Sequence, residues 1–328
     1  MTTSTKRPQP DDSGLGALRT SIRRPDAGQL YADVLAARDG NADARGRVVG
    51  ALAWAAFAAP AAVAAVYDLF AAAWFAQPLD AAPGEAGPID GEETAIPEAF
   101  WTALEGVLVG PEAGYDAASI TAAVAALGGA LAPEFSGLAE AAARHWPDAV
   151  EVTERAVPGF IELAPLAALA PGTLGRTLHD LLTENGYDVE VLDRDAIRLS
   201  TLPPALRYLN TRILQMHDVW HLVAGYSTSA SHEIAISAFQ LAQFGHNYSA
   251  MFLAVVGAIT HLQRPEVFPV IGLLVAEAWQ HGRRTPPLMS VEWEAEWAAD
   301  IEDIRARHGI TPYESLLPAN LFELAGTG

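Results

Sequence analysis

MHDVWHLVAGYSTSASHEI, residues 216–234, decides the reading of this chain. His217 and His221 are four residues apart, the spacing that places two side chains on one helix face about a turn from each other. Asp218 is rotated by about 100° and still borders that face. Gly225 is a natural helix stop, and Tyr226 to Ser231 is a serine-rich turn. A second helix is expected from about Ser231 to Gly245. Eleven residues separate Glu233, in its first turn, from His221. A helix folding back after that turn brings Glu233 to face the histidine pair.

Helical signals continue outward in both directions. Pro203-Pro204 opens the first of these two helices, which lasts to Ala224. Upstream, Thr173 is a plausible N-cap for a helix that ends at Asn185-Gly186. Val189 to Leu199 fits a short strand or a loop. Downstream, Tyr248–Leu262 and Val267–Arg284 read as helices, and Ser290 as the cap of a last one running to Arg307. Residues 29–76 and 98–146 also carry helical spacing, the latter broken at Gly110-Pro111 and Gly128-Gly129. Strand-period alternation is nearly absent. The expected fold is all-α, a multi-helix bundle with a metal site between two adjacent helices. Residues 1–28, rich in Pro, Gly and Asp, read as a disordered tail. Residues 29–150 read as an alanine-rich acidic helical region with a linker near 78–97. Residues 151–328 read as the metal-binding domain.

Composition narrows the function. Forty acidic residues against twenty basic ones give a formal net charge of -20. That opposes a nucleic-acid surface, which needs a basic stripe, and simple electrostatic docking on an anionic bilayer. Cysteine is absent, which excludes disulfides, thiolate nucleophiles and iron–sulfur clusters. Any metal must be held by His, Asp and Glu. Arginine supplies nineteen of the twenty basic residues and Lys6 is the only lysine, a pattern of GC-rich bacterial coding. No secretory signal is evident. Val48–Tyr67 is twenty uncharged residues, long enough to span a bilayer. It is mostly alanine, however, and Pro60 interrupts it, so the favoured reading is a buried or surface-docked helix.

Two imidazoles and two carboxylates are the donor set of a divalent-metal site, with a pair of structural histidines as the alternative reading. The mixed set suits Zn2+, and also Fe2+ or Mn2+, because two His and one carboxylate can leave positions open on iron. The zinc-protease arrangement does not apply, since Asp follows the first histidine and no third histidine comes at the required distance. Ile213, Leu214 and Trp220 flank the pair, which suggests a greasy substrate, with plain core packing as the alternative for each.

The motif His217-Asp218-x-x-His221, then eleven residues, then Glu233, resembles the coenzyme Q (ubiquinone) biosynthesis protein 4 family. LAPGTLGRTLHDLLTENGYD (169–188), Arg212, Gln243, Gly245, AWQHGRRTPP (278–287) and EWEAEWAADIEDIRARHGI (292–310) extend the likeness over roughly residues 155–313. His232 stands where that pattern has glycine, as an extra ligand or a surface residue. The resemblance implies an all-helical protein holding a divalent metal, most often zinc, at His217, Asp218, His221 and Glu233. It implies oxidative decarboxylation, in which the ring carboxyl of a polyprenyl benzoquinone precursor is removed and that carbon hydroxylated. The alternative is a non-catalytic, prenyl-lipid-binding scaffold that organises the other ubiquinone-biosynthesis enzymes; an unrelated metal hydrolase is a third reading. Arg212, Gln243, Arg283 and Arg284 are candidate substrate-binding residues. Phe239, Phe244, Phe252 and Leu253 are candidates for the prenyl tail, with core packing favoured for at least half. The expected setting is the bacterial cytoplasm in peripheral contact with the inner membrane, with a homo-oligomer allowed.

Overall fold

The computed structural model describes residues 12–76, 89, 91–111, 114–115, 117–146, 148, 152, 155–190 and 192–324. It is all-α: helices follow one another along the chain, and no strand occurs among the described residues. They fall into two compact units. The first holds the residues up to 76, 89–138 and 247–276; the second holds 139–246 and 277–324.

In the first unit the helices are α1 (Asp12–Ser21), α2 (Ala27–Arg38), α3 (Ala42–Phe57), α4 (Val63–Phe75), α5 (Glu98–Val109) and α6 (Ala117–Leu127). The expectation of disorder through residue 28 is corrected at α1. Leu15, Leu18 and Ile22 recur at helical spacing, and Leu18 is buried. Residues 1–11 and most of the expected linker lie outside the described residues. Where the linker resumes, Glu93 accepts a hydrogen bond of 2.7 Å from the indole N–H of Trp54. The long alanine-rich run is not one helix. Pro60 lacks the N–H needed to continue the ladder, so the chain passes through a short 3-10 turn, Pro60–Ala62, between α3 and α4. Val48, Val49, Ala55, Ala56 and Tyr67 are completely buried. Among the described residues no single helix is long and apolar enough to cross a membrane. One bent pair, Ser119–Ala130 with Phe135–Ala143, passes by length and composition only.

The second unit is built from α8 (Leu163–Leu166), α9 (Leu174–Asn185), α10 (Pro204–Ala224), α11 (Ala230–Phe244), α14 (Ile301–His308) and α15 (Leu321–Leu324). Helix α7 (Phe135–Ala143) enters it, α12 (Asn247–Gln263) belongs to the first unit, and α13 (Phe268–Arg284) ends in the second. The described residues of 189–190 and 192–198 form bends and turns, not a strand, and Leu199 opens a 3-10 turn.

The last long helix differs from expectation. Ser290 is not a cap; its hydroxyl donates to Asp148 at 2.6 Å. The chain makes a 3-10 turn at Trp293–Ala295 and only then enters α14, capped by Asp300. The reason lies in α9. A helix start leaves orphan N–H groups, and Thr173 does not cap them, because its hydroxyl donates to Ala170 O. Leu174 N–H and Gly175 N–H instead donate to the carbonyls of Ala299 and Trp297, each at 2.9 Å. Those carbonyls are thereby withdrawn from a continuous helix. The Asp300 carboxylate accepts from Glu302 N–H at 2.8 Å, so Asp300→Ala is expected to cost about 1 kcal/mol. Urea denaturation reads this directly, and an unchanged midpoint would mean water caps α14 equally well.

Candidate metal centre

The centre is assembled by α10, the turn after it, and α11. Helix α10 ends at Gly225, whose φ of +81° suits glycine. All four of its final carbonyls have protein donors. Gly225 and Tyr226 N–H donate to His221 O, the Arg305 guanidinium to Leu222 O and Val223 O, and Tyr313 N–H to Ala224 O. The following turn is held by the Ser229 and Ser231 hydroxyls, which donate to Ala319 O, and by Ala230 N–H, which donates to Glu323. The helix end that carries His221 and the helix start that carries Glu233 are therefore both fixed by C-terminal residues.

His217 and His221 turn their Nε2 atoms toward each other at 3.0 Å. One Glu233 oxygen lies 3.3 Å from His217 Nε2 and the other 3.3 Å from His221 Nε2. Ligand atoms of His217, Asp218 and His221 all lie within 4.8 Å of one another. The two histidines thus stand next to Glu233 on one hand and to Asp218 on the other. Tetrahedral ligands at about 2.0–2.1 Å from a zinc ion lie roughly 3.3 Å apart, so the two imidazole nitrogens and Glu233 are spaced to share one cation. Two ring nitrogens pointing at one locus between two carboxylates need a proton or a cation there, and the donor set is that of a divalent metal. The residues fit the group.

The electrostatics follow from this crowding. Burial opposes a charge on His217, but the hydrogen bond and charge of Glu233 and the charge of Asp218 outweigh it and push the imidazole up to about 9. Burial would raise the Glu233 carboxyl, yet the two histidines hold it well below the usual carboxylate range. Its place in the first turn of α11 acts in the same sense. His246 is driven down to about 3 by burial and by the charge of His217. In the metal-free protein the pairing of His217 is fully stabilising below about pH 6.5 and is lost as pH rises through about 9, a loss of a few kcal/mol at most. Denaturation at pH 6 and pH 9.5 should show the metal-free protein weaker at the higher pH. Metal uptake near pH 7 should release a proton, read as a buffer-dependent binding enthalpy.

Other candidates are placed elsewhere. Arg212, 4 % exposed, donates to both Glu294 oxygens, to Gln215 and to Val291 O. Gln243 donates to Gly282 O and Thr285 O and accepts from Leu288 N–H, closing the end of α13. The Arg283 guanidinium lies 5.7 Å from the rings of both Trp146 and Trp279, while Arg284 is exposed. These contacts of Arg212, Gln243 and Arg283 do not reach the histidines. His232 is buried, and its Nδ1 accepts from Ser227 N–H at 2.8 Å, tying the turn. Ile213 and Trp220 are core residues, with Trp220 4.4 Å from the Phe244 ring; Leu214 stays half-buried on the ligand face. Phe239, Phe244, Phe252 and Leu253 are all buried.

Two neighbours escaped sequence reasoning. Gln240 contacts His217 Nδ1 at 2.8 Å. It lies seven residues, two helical turns, after Glu233, so projecting α11 onto a wheel would have found it. His246 pairs with Asn210 on α10 at 3.2 Å, which no local pattern announces. His221 Nδ1 is buried with no partner.

Residues 152–314 match the family described as coenzyme Q (ubiquinone) biosynthesis protein Coq4. Similar proteins include the mitochondrial ubiquinone biosynthesis protein COQ4 homolog of Drosophila erecta, 31% identical over 153 residues, 46% of this chain and 54% of that one. The Rattus norvegicus protein of the same description is 25% identical over 155 residues, 46% and 56% of the two chains. The chain spans about half the length of the curated relatives it matches. A crystal structure from Nostoc punctiforme is 26% identical, covers 65% of this chain and 98% of its own, and superposes with a TM-score of 0.49.

Proposed function

Since this chain belongs, through residues 152–314, to the coenzyme Q (ubiquinone) biosynthesis protein Coq4 family, we propose that it acts in ubiquinone biosynthesis. The proposed reaction is a metal-dependent oxidative decarboxylation. The ring carboxyl of a polyprenyl benzoquinone precursor leaves as carbon dioxide and a hydroxyl takes its place. The observation that carries the reading is the convergence of His217 Nε2, His221 Nε2 and both Glu233 oxygens at 3.0–3.3 Å, with Asp218 beside them.

His217, Asp218, His221 and Glu233 would hold a divalent cation, Zn2+ first and Fe2+ or Mn2+ next, which would supply Lewis acidity toward a carboxylate or phenolate oxygen. The chain's own residues do the rest. Glu233 stays ionised across the working pH range and balances the cation. His221, 1 % exposed, is the fixed ligand at the floor. His217, Asp218 and Glu233 are partly exposed, so a substrate oxygen approaches from their side, past Leu214. Exchanging a ring carboxyl for a hydroxyl is a two-electron oxidation: the carbon–carboxyl bond breaks to release carbon dioxide, water supplies the hydroxyl oxygen, and dioxygen would take the two electrons and two protons to become hydrogen peroxide. A prenylated substrate resides in the bilayer, which places the protein in peripheral contact with the bacterial inner membrane, among the other enzymes of the pathway.

The test is turnover of a carboxylated prenyl-benzoquinone precursor by protein loaded separately with Zn2+, Fe2+ and Mn2+, with release of carbon dioxide and gain of the ring hydroxyl followed by mass spectrometry. Turnover that chelation abolishes is expected. Sustained turnover by strictly zinc-loaded protein would remove metal-centred oxygen activation from the account. No turnover with any metal, alongside co-purifying lipid and pathway enzymes, would replace catalysis by the scaffold role.

A further inference from the structure

His217 has both ring nitrogens engaged. Nε2 faces His221 and Glu233, and Nδ1 faces the Gln240 side-chain amide at 2.8 Å. Gln240 is 3 % exposed and sits in the middle of α11, so its side chain has little room to swing away. A neutral imidazole carries one proton. For Nε2 to offer its lone pair to a cation, that proton must be on Nδ1, and the group 2.8 Å away must then accept it. Glutamine can do so, because its amide presents an oxygen or an NH2 at nearly the same place after a half-turn. With the NH2 toward Nδ1, as the amide stands here, the ring proton belongs on Nε2, against Glu233, and the lone pair is withdrawn from the shared locus. With the oxygen toward Nδ1, the proton is held on Nδ1 and Nε2 is free to ligate. The amide thus has two orientations, and each fixes one tautomer of the ligand.

We propose that Gln240 is the positioning residue of the metal centre: its carbonyl oxygen selects and orients the ligating tautomer of His217. The inference rests on the reading of His217, His221 and Glu233 as metal ligands. Outer-shell partners of ligating histidines act in this way, and their loss weakens metal binding by about 10- to 100-fold. Leucine at 240 keeps the volume and removes the acceptor. Glutamate keeps the reach and offers only acceptors.

The experiment measures Zn2+ affinity of the full chain by competition with a chromophoric chelator, for wild type, Gln240→Leu, Gln240→Glu, His221→Ala and Glu233→Ala. The ligand-field absorption of each Co2+-loaded form is recorded as well. Gln240→Leu should bind about 10- to 100-fold more weakly, with a shifted Co2+ band, and Gln240→Glu should bind at least as tightly as wild type. If Gln240→Leu fails to fold, Gln240→Glu decides alone, because a merely structural glutamine would gain nothing from a carboxylate. Wild-type affinity in Gln240→Leu, or weak binding in a folded Gln240→Glu, overturns the assignment while leaving the ligands standing. Retained metal in both His221→Ala and Glu233→Ala removes the ligand set and the inference together.

Discussion

Glu233→Ala should reduce the metal content of the purified protein to background and abolish turnover with it. Among the four proposed ligands Glu233 is the carboxylate in contact with both imidazoles, at 3.3 Å each. Its charge also sets the state of its neighbours: it is among the causes that push His217 upward against burial. Removing it deletes a proposed ligand and leaves two ring nitrogens 3.0 Å apart with Asp218 as the nearby carboxylate. Loss of an outer-shell partner weakens metal binding by about 10- to 100-fold, so loss of this carboxylate should exceed about 100-fold. Glu233→Gln keeps the shape and should fail similarly, because the amide brings no charge. Plasma mass spectrometry of the metal and denaturation with and without added Zn2+ give independent readings. At a hundredfold excess over Kd, bound metal adds about 2.7 kcal/mol to wild-type stability, and the variant should show none of it. Full metal content in Glu233→Ala would sink the four-residue site.

The candidate cluster was legible because it is local. Helix periodicity alone puts His217 over His221, and a glycine stop followed by a serine turn brings the next helix back. Gln240 obeys the same periodicity, but an amide is not a metal ligand of this kind, so donor type does not single it out. Arg305 and Tyr313, which satisfy the last carbonyls of α10, could not be read from spacing, since they reach it from more than eighty residues away. Arg212 misled for a related reason. A guanidinium near a motif suggests an anion site, whereas here it is spent on Glu294; nothing local distinguishes a partner 82 residues distant from a bound carboxylate.

The fold was legible where punctuation is strong and illegible where tertiary bonds override it. Pro60, Gly186, Gly225 and Gly245 end helices as their chemistry dictates. The segment after Ser290 has good helical composition yet remains irregular until Asp300, because Trp297 and Ala299 lend their carbonyls to α9. The N-terminal proline- and glycine-rich stretch conceals the Leu15–Leu18–Ile22 stripe, so composition pointed to disorder where α1 forms.

Gly245→Ala should destabilise the protein strongly although Gly245 is none of the proposed ligands. Gly245 ends α11 with a φ of +61°, where an L side chain costs about 1–2 kcal/mol. A Cβ at that position would lie 1.9 Å from the Trp146 indole nitrogen and 2.3 Å from its Cε2. The indole has nowhere easy to go: it packs edge-on against the fully buried Trp279 and beneath the Arg283 guanidinium. Overpacking of this kind costs about 1–3 kcal/mol, so the total should be about 3 kcal/mol, read as a lower denaturation midpoint and altered near-ultraviolet tryptophan dichroism. Trp146→Ala separates the two causes. In that background Gly245→Ala should cost only the backbone part, and the difference between the two costs measures the clash. A cost below about 0.5 kcal/mol in wild type would mean that the indole slides aside freely. Because α11 carries Glu233 and Gln240, and His246 follows Gly245 directly, the displaced helix end should also loosen the metal. Gly245 would then be required at its position for close packing of a helix terminus, and not for contact with a substrate.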